Sequence, residues 1–121
     1  MNPETKIENA FVDEVWKYLG IKAGKLKIEG ETGYPDRILW LPGGKPLLIE
    51  FKVPGADPKP HQEGKHELLK KLGYNVKVFD NVPDAFKCTL EALDPRALSE
   101  KGRKILAGAW GRWAVLKARS T

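Results

Sequence analysis

The sequence predicts a single α/β domain, a small mixed β-sheet flanked by helices, and three observations carry that reading. Helical and two-residue hydrophobic periodicities alternate along residues 1–94 in the order α-β-β-β-α-β, with more helix to follow. Glycine and proline punctuate the joins. At 121 residues the chain has the length of one ordinary domain and can bury a core without disulfide staples.

Each element has a local reason. In KIENAFVDEVWKYLG, Ile7, Phe11, Val15, Tyr18 and Leu19 fall on one helical stripe, and Gly20 is a natural stop. KLKIEG alternates, so a short strand is expected near Leu26 to Glu29. DRILWL, from Asp36 to Leu41, reads as a strand. A tight PGGK turn joins it to PLLIEFKV, which makes the two an antiparallel hairpin. The proline-rich loop from Pro54 to Pro60 leads into a helix that runs to about Leu72. Proline suits its first turn, and Leu68, Leu69 and Leu72 supply its apolar stripe. YNVKVF alternates as a strand. NVPDAFKCTLEAL is a short helix capped by Asn81, and DPRALSEKGRKIL is another. The pattern of AWGRWAVLKARS leaves its conformation open.

Composition narrows the function classes. The one cysteine, Cys88, excludes a disulfide framework and a cysteine-rich zinc site, and it suits a reducing compartment. His61 and His66 are five apart, which is not the spacing of a helical metal pair. No apolar run is long enough to span a bilayer, and the N-terminus lacks the pattern of a secretory signal. A soluble, cytoplasmic protein is the expectation. The net charge of +5 is uneven. Residues 95–121 carry seven basic side chains against Glu100 alone, or +6, and residues 1–94 balance at −1. With Trp110 and Trp113 in it, that segment reads either as a polyanion-binding extension or as a solvated helix face with core aromatics. Arg103, Lys104, Arg112 and Arg119 have the chemistry to meet phosphates.

The hairpin raises the sharper question. Asp36 precedes the middle of its turn by about seven residues and Glu50 follows it by about seven, so the two carboxylates come side by side. Glu50 and Lys52 are two apart and share a face. Paired carboxylates repel unless a cation lies between them. A hard divalent ion such as Mg²⁺, or Mn²⁺ in its place, suits them. Lys52 could then position a water or offset charge on a phosphoryl group. The competing reading is a cross-strand ion pair at a solvated sheet edge.

More of the chain bears on that choice. Glu8 lies in the first helix, then come Gly33-Tyr34-Pro35-Asp36, Glu50-Phe51-Lys52, Gln62 at a helix start, ELLKKLG, and Val76-Lys77-Val78. In order and spacing this resembles the VRR-NUC family, virus-type replication-repair nucleases of the PD-(D/E)xK superfamily, over about residues 5–90. The resemblance implies a restriction-endonuclease-like core and metal-dependent hydrolysis of DNA, with no organic cofactor. It implies Asp36 and Glu50 as metal ligands, the Phe51 carbonyl as a further oxygen, and Lys52 as the catalytic lysine. Glu8 would approach the metal through water, and Gln62 would orient Lys52 or the attacking water. Small members of the family resemble homodimeric resolvases of four-way junctions, so branched DNA and a homodimer are the implied partners. Lys59 and Lys65 flank this site and are candidate backbone contacts, as is His61. Gly33 suits a turn that lets substrate approach, and Tyr34 could stack on a base or pack locally. Residues 1–94 are then the nuclease core, and 95–121 a basic helical extension of the same domain for DNA or dimer contact. The alternative is a non-catalytic nucleic-acid-binding module on the same fold.

Overall fold

Capping and glycine stops set the helix ends. In the computed structural model, which describes residues 1–120, the Asn2 side chain accepts the Thr5 N–H at 2.7 Å and opens helix α1 (Pro3–Leu19). Gly20 ends it at φ 66°, a left-handed conformation that glycine adopts without strain. Three strands and a helix follow: β1 (Ala23–Lys25), β2 (Arg37–Leu39), β3 (Leu47–Phe51) and α2 (Pro60–Lys71). Next come β4 (Asn75–Phe79), α3 (Val82–Ala92), a short 3₁₀ turn (Pro95–Ala97) and α4 (Glu100–Arg119). As expected, the Asn81 side chain caps α3, accepting the Asp84 N–H at 2.9 Å. No helix among the described residues is long and apolar enough to cross a membrane.

The sheet is mixed, in the order β1-β2-β3-β4. β2 runs antiparallel to both β1 and β3, and β3 runs parallel to β4. Two expectations need correction. The first strand is Ala23–Lys25 rather than Leu26 to Glu29. Its ladder on β2 ends with the Leu26 N–H on the Asp36 carbonyl, and the next residue back is Pro35, which has no N–H to donate. The DPRALSEKGRKIL segment is not one helix. It breaks after the 3₁₀ turn, and Ser99 caps a new helix by accepting the Gly102 N–H. That helix, α4, continues through the stretch whose pattern left its conformation open.

Side-chain alternation along β3 sorts the two faces. Leu47, Ile49 and Phe51 enter the core with Phe11 and Val15 of α1, Phe86 and Leu90 of α3, and Leu106 and Ala109 of α4. Burying side chains of this size contributes about 1.5–3 kcal/mol each. Leu48, Glu50 and Lys52 alternate to the opposite face, where α2 packs alongside β4. One face of the hairpin therefore holds the fold together, and the other presents the ionisable groups.

Candidate active site

The strand register brings the first pair together. Arg37 pairs with Ile49 across the hairpin, so the next step outward sets Asp36 opposite Glu50. The Asp36 carboxylate accepts the Phe51 N–H at 2.8 Å, which pins it to the end of β3. The Lys52 ammonium lies 3.2 Å from Glu50 Oε2. Gln62, in the first turn of α2, donates its side-chain amide to the same oxygen at 3.1 Å and accepts the Lys59 N–H at 3.0 Å. Asp36, Glu50, Lys52 and Gln62 thus share one end of the sheet. The Lys52–Glu50 ion pair exists, but not at a solvated edge: Glu50 is only 1% exposed and Lys52 8%.

A third carboxylate, that of Glu4, lies beside Asp36 and Glu50. Oxygens of Glu4, Asp36 and Glu50 lie within 4.8 Å of one another. Glu8, one turn further along α1, is buried, and its carboxylate is taken by Arg37 at 2.6 Å and Lys25 at 3.4 Å. Arg37 also donates to the Ala23 carbonyl, so it ties β2 to α1 and β1. Helical spacing gave Glu4 the same face as Glu8, which was the available signal for it.

The electrostatics are unbalanced. Burial, with Asp36 close by, pushes the Glu50 carboxyl up to about 7 against the pull of Lys52. Burial also raises Asp36; the Phe51 N–H opposes this, and Glu8 adds to it. The second Glu50 oxygen, Oε1, is buried with no hydrogen-bond partner among the described residues. Clustered carboxylates and an orphaned buried oxygen offer the hard oxygen donors a divalent cation takes, so the donor set fits Mg²⁺ or Mn²⁺. His66, one turn after Gln62, is also buried, and burial lowers its pKa, which favours the neutral imidazole. Its burial was not anticipated.

The expected phosphate contacts divide. Lys59 is exposed beside the site. Arg103 and Lys104 lie on the exposed side of α4, the former donating to the Leu98 carbonyl and the latter 3.7 Å from Glu100. Arg112 is engaged within the fold: its guanidinium grips Glu14 of α1 at 2.7 and 2.9 Å and lies over the Tyr18 ring. Lys65 is likewise engaged, by Glu31 and Tyr34. Trp110 and Trp113 pack edge to face at 5.8 Å, against the core rather than in solvent.

No family model matches the chain. A protein called "Putative nuclease p44" from Acyrthosiphon pisum secondary endosymbiont phage 1 is 44% identical over 78 residues, which are 64% of this chain and 83% of that protein. A solved structure named "VRR_NUC domain" superposes with a TM-score of 0.67 at 30% identity, over 76% of this chain and 99% of its own. A second, "VRR_NUC domain protein", has a TM-score of 0.58 at 19% identity, over 71% and 84%, and shows the shared fold. On this similarity in sequence and in structure, the chain belongs to the VRR-NUC family of nucleases.

Proposed function

We propose that the protein is a divalent-metal-dependent, structure-specific endodeoxyribonuclease that acts on branched DNA, such as a four-way junction, as a cytoplasmic homodimer. The observation that carries the metal-dependent hydrolysis is the pairing of Asp36 with Glu50, whose Oε1 is buried and unpartnered beside Lys52. The branched substrate and the dimer rest on the family resemblance. Residues 1–94 form the catalytic core in this reading, with 95–121 extending it; Thr121 lies outside the described residues.

Asp36, Glu50 and Glu4 would hold Mg²⁺, with Mn²⁺ able to replace it, and the family resemblance adds the Phe51 carbonyl as a further oxygen ligand. The ion would supply charge neutralisation at the scissile phosphate and acidify a bound water. The chain's own groups do the rest. Lys52, held beside Glu50, places a positive charge where negative charge develops on the phosphoryl oxygens. Gln62 fixes the Glu50 carboxylate and so keeps Lys52 aimed, rather than touching Lys52 itself. Glu8 acts at one remove, by locking Arg37 and the start of β2. Lys59, Arg103 and Lys104 have the exposure to meet the DNA backbone.

The test is cleavage of a four-way junction, a flap, a splayed arm and a plain duplex, with Mg²⁺ and with EDTA. Paired symmetric cuts in the junction, absent with EDTA, are the expected result. Equal cutting of plain duplex would remove the structure specificity, and cutting in EDTA the metal. Salt-sensitive binding with no cleavage under any divalent metal would favour the non-catalytic module.

A further inference from the structure

The loop that delivers Asp36 and the helix that delivers Gln62 touch at a point with no slack. Gly33 has φ +89°, and a Cβ placed there would lie 2.7 Å from the His61 carbonyl oxygen and 3.3 Å from its carbonyl carbon. No side chain fits in that space, and L-residues rarely adopt that φ. Gly33 stands three residues before Asp36, and His61 immediately before Gln62. One turn along α2, the Lys65 ammonium sits 4.6 Å from the centre of the Tyr34 ring and 3.4 Å from Glu31 Oε1. The Tyr34 hydroxyl donates to the other Glu31 oxygen at 3.1 Å, which closes a triangle of cation, ring and carboxylate. The same loop is therefore joined to the same helix twice, once by backbone packing and once by side chains.

We propose that Gly33 and the Glu31–Tyr34–Lys65 triangle form a clamp that sets the Asp36 loop against the start of α2, and that Lys65 is a positioning residue rather than a contact to DNA phosphate. The proposal builds on the nuclease reading and names what keeps its parts in register. Asp36 and Gln62 come from segments 26 residues apart, and both must meet Glu50. Such sites need placement to within about 0.5 Å. The contacts of residues 31, 33 and 34, just before Asp36, with His61 and Lys65, on either side of Gln62, supply it. A lysine already facing a carboxylate and an aromatic ring has less charge to offer a passing phosphate.

Glu31→Ala separates the two roles. The clamp predicts that kcat falls about 3- to 10-fold while KM for DNA and its salt dependence stay put, since the loss is one of placement. A freed phosphate contact would instead tighten DNA binding and steepen the log–log salt slope by about one; that result overturns the proposal. Gly33→Ala is expected to lower kcat further, by about 10- to 100-fold. Gly108→Ala, in α4 with open space around it, is the control and leaves kcat unchanged. A second readout needs no cleavage. In the metal-free protein, the NMR signals of the Gln62 side-chain amide should move in Glu31→Ala and Gly33→Ala and stay in place in Gly108→Ala. Unmoved Gln62 signals in the first two variants sink the clamp, whereas a wild type that never cuts sinks the nuclease reading and leaves this measurement to decide the clamp.

Discussion

Arg112 on α4 is half-buried and Glu50 on β3 is buried; both are ionisable, and each is held by a group on another element. Their situations are otherwise opposite. Arg112 meets Glu14 with two hydrogen bonds and covers Tyr18, and that carboxylate beside it raises the guanidinium pKa, so its charge is secured. Glu50 shares one oxygen between Lys52 and Gln62, leaves the other without a partner among the described residues, and faces Asp36 and Glu4. Its surroundings penalise its charge. A satisfied buried charge is a structural part, and an unsatisfied one marks where something from outside is to bind. The net basic charge of the C-terminal segment drew attention to α4, yet the nearly neutral remainder of the chain holds the electrostatic imbalance.

Breaking the unsatisfied side of the comparison should have the largest effect. Asp36→Ala, Glu50→Ala and Lys52→Ala are each expected to lower Mg²⁺-dependent cleavage by about 10³-fold or more, while circular dichroism shows the fold kept. The double variant Asp36→Ala, Glu50→Ala should be no worse than the worse single one, because the groups act as a unit. Full activity in the double variant would end the assignment of the site.

A second effect, about 3 kcal/mol at most, follows from Glu50 itself. Its carboxyl moves from 4.5 to about 7 on folding, so the folded protein binds that proton more tightly than the unfolded chain does. The associated stability is fully present below pH 4.5 and is lost as pH rises through 7. A divalent ion bound there would take the proton's place, so Mg²⁺ should raise Tm more at pH 8 than at pH 5. Thermal melts at both pH values, with Mg²⁺ or EDTA, and with Glu50→Gln as reference, check this. The reference variant should show a weaker pH dependence. An equal Mg²⁺ shift at both pH values, or one kept by Glu50→Gln, would place the ion elsewhere.

On the satisfied side, Arg112→Ala should cost about 1–2 kcal/mol of stability, because it strips Glu14 of its bidentate partner and uncovers Tyr18. Urea melts measure the loss, and a double-mutant cycle with Glu14→Ala should recover a coupling of similar size. DNA affinity and its salt slope should not change. A salt slope lowered by about one would return Arg112 to the phosphate contacts.

These contrasts also show what the sequence could reveal. Asp36 beside Glu50 was readable by counting, because a tight hairpin turn leaves little freedom in register and strands alternate with a period of two. The element order followed from the same local periodicities. Partners distant in the chain were not readable. The contacts of Lys65 with Glu31 and of Arg112 with Glu14 span 34 and 98 positions, so no local pattern announces them. Glu4 was missed for a related reason: helical spacing gives the face but not the depth, and the contact of Glu8 with Arg37 comes from across the fold. The last helix was obscured by Gly108 and Gly111, each costing about 1 kcal/mol relative to alanine; packing of Leu106, Ala109 and Trp113 on the core outweighs that.

The smallest effect is also the one that decides what α4 does. Lys104 lies 3.7 Å from Glu100, with both side chains about four-fifths exposed, so the pair contributes little to the fold. Lys104→Ala should change stability by less than about 0.5 kcal/mol. If its ammonium meets a phosphate when DNA is bound, the same change lowers the salt slope by about one and weakens binding alike for junction and duplex. Arg112→Ala is expected to do the reverse, moving stability and leaving the slope alone. The two substitutions sit on one helix and remove one positive charge each, so the bulk field changes equally in both. An unchanged slope in Lys104→Ala would mean that this position of α4 does not touch DNA, and would leave the Glu14 contact as the clearest role for the helix's basic side chains.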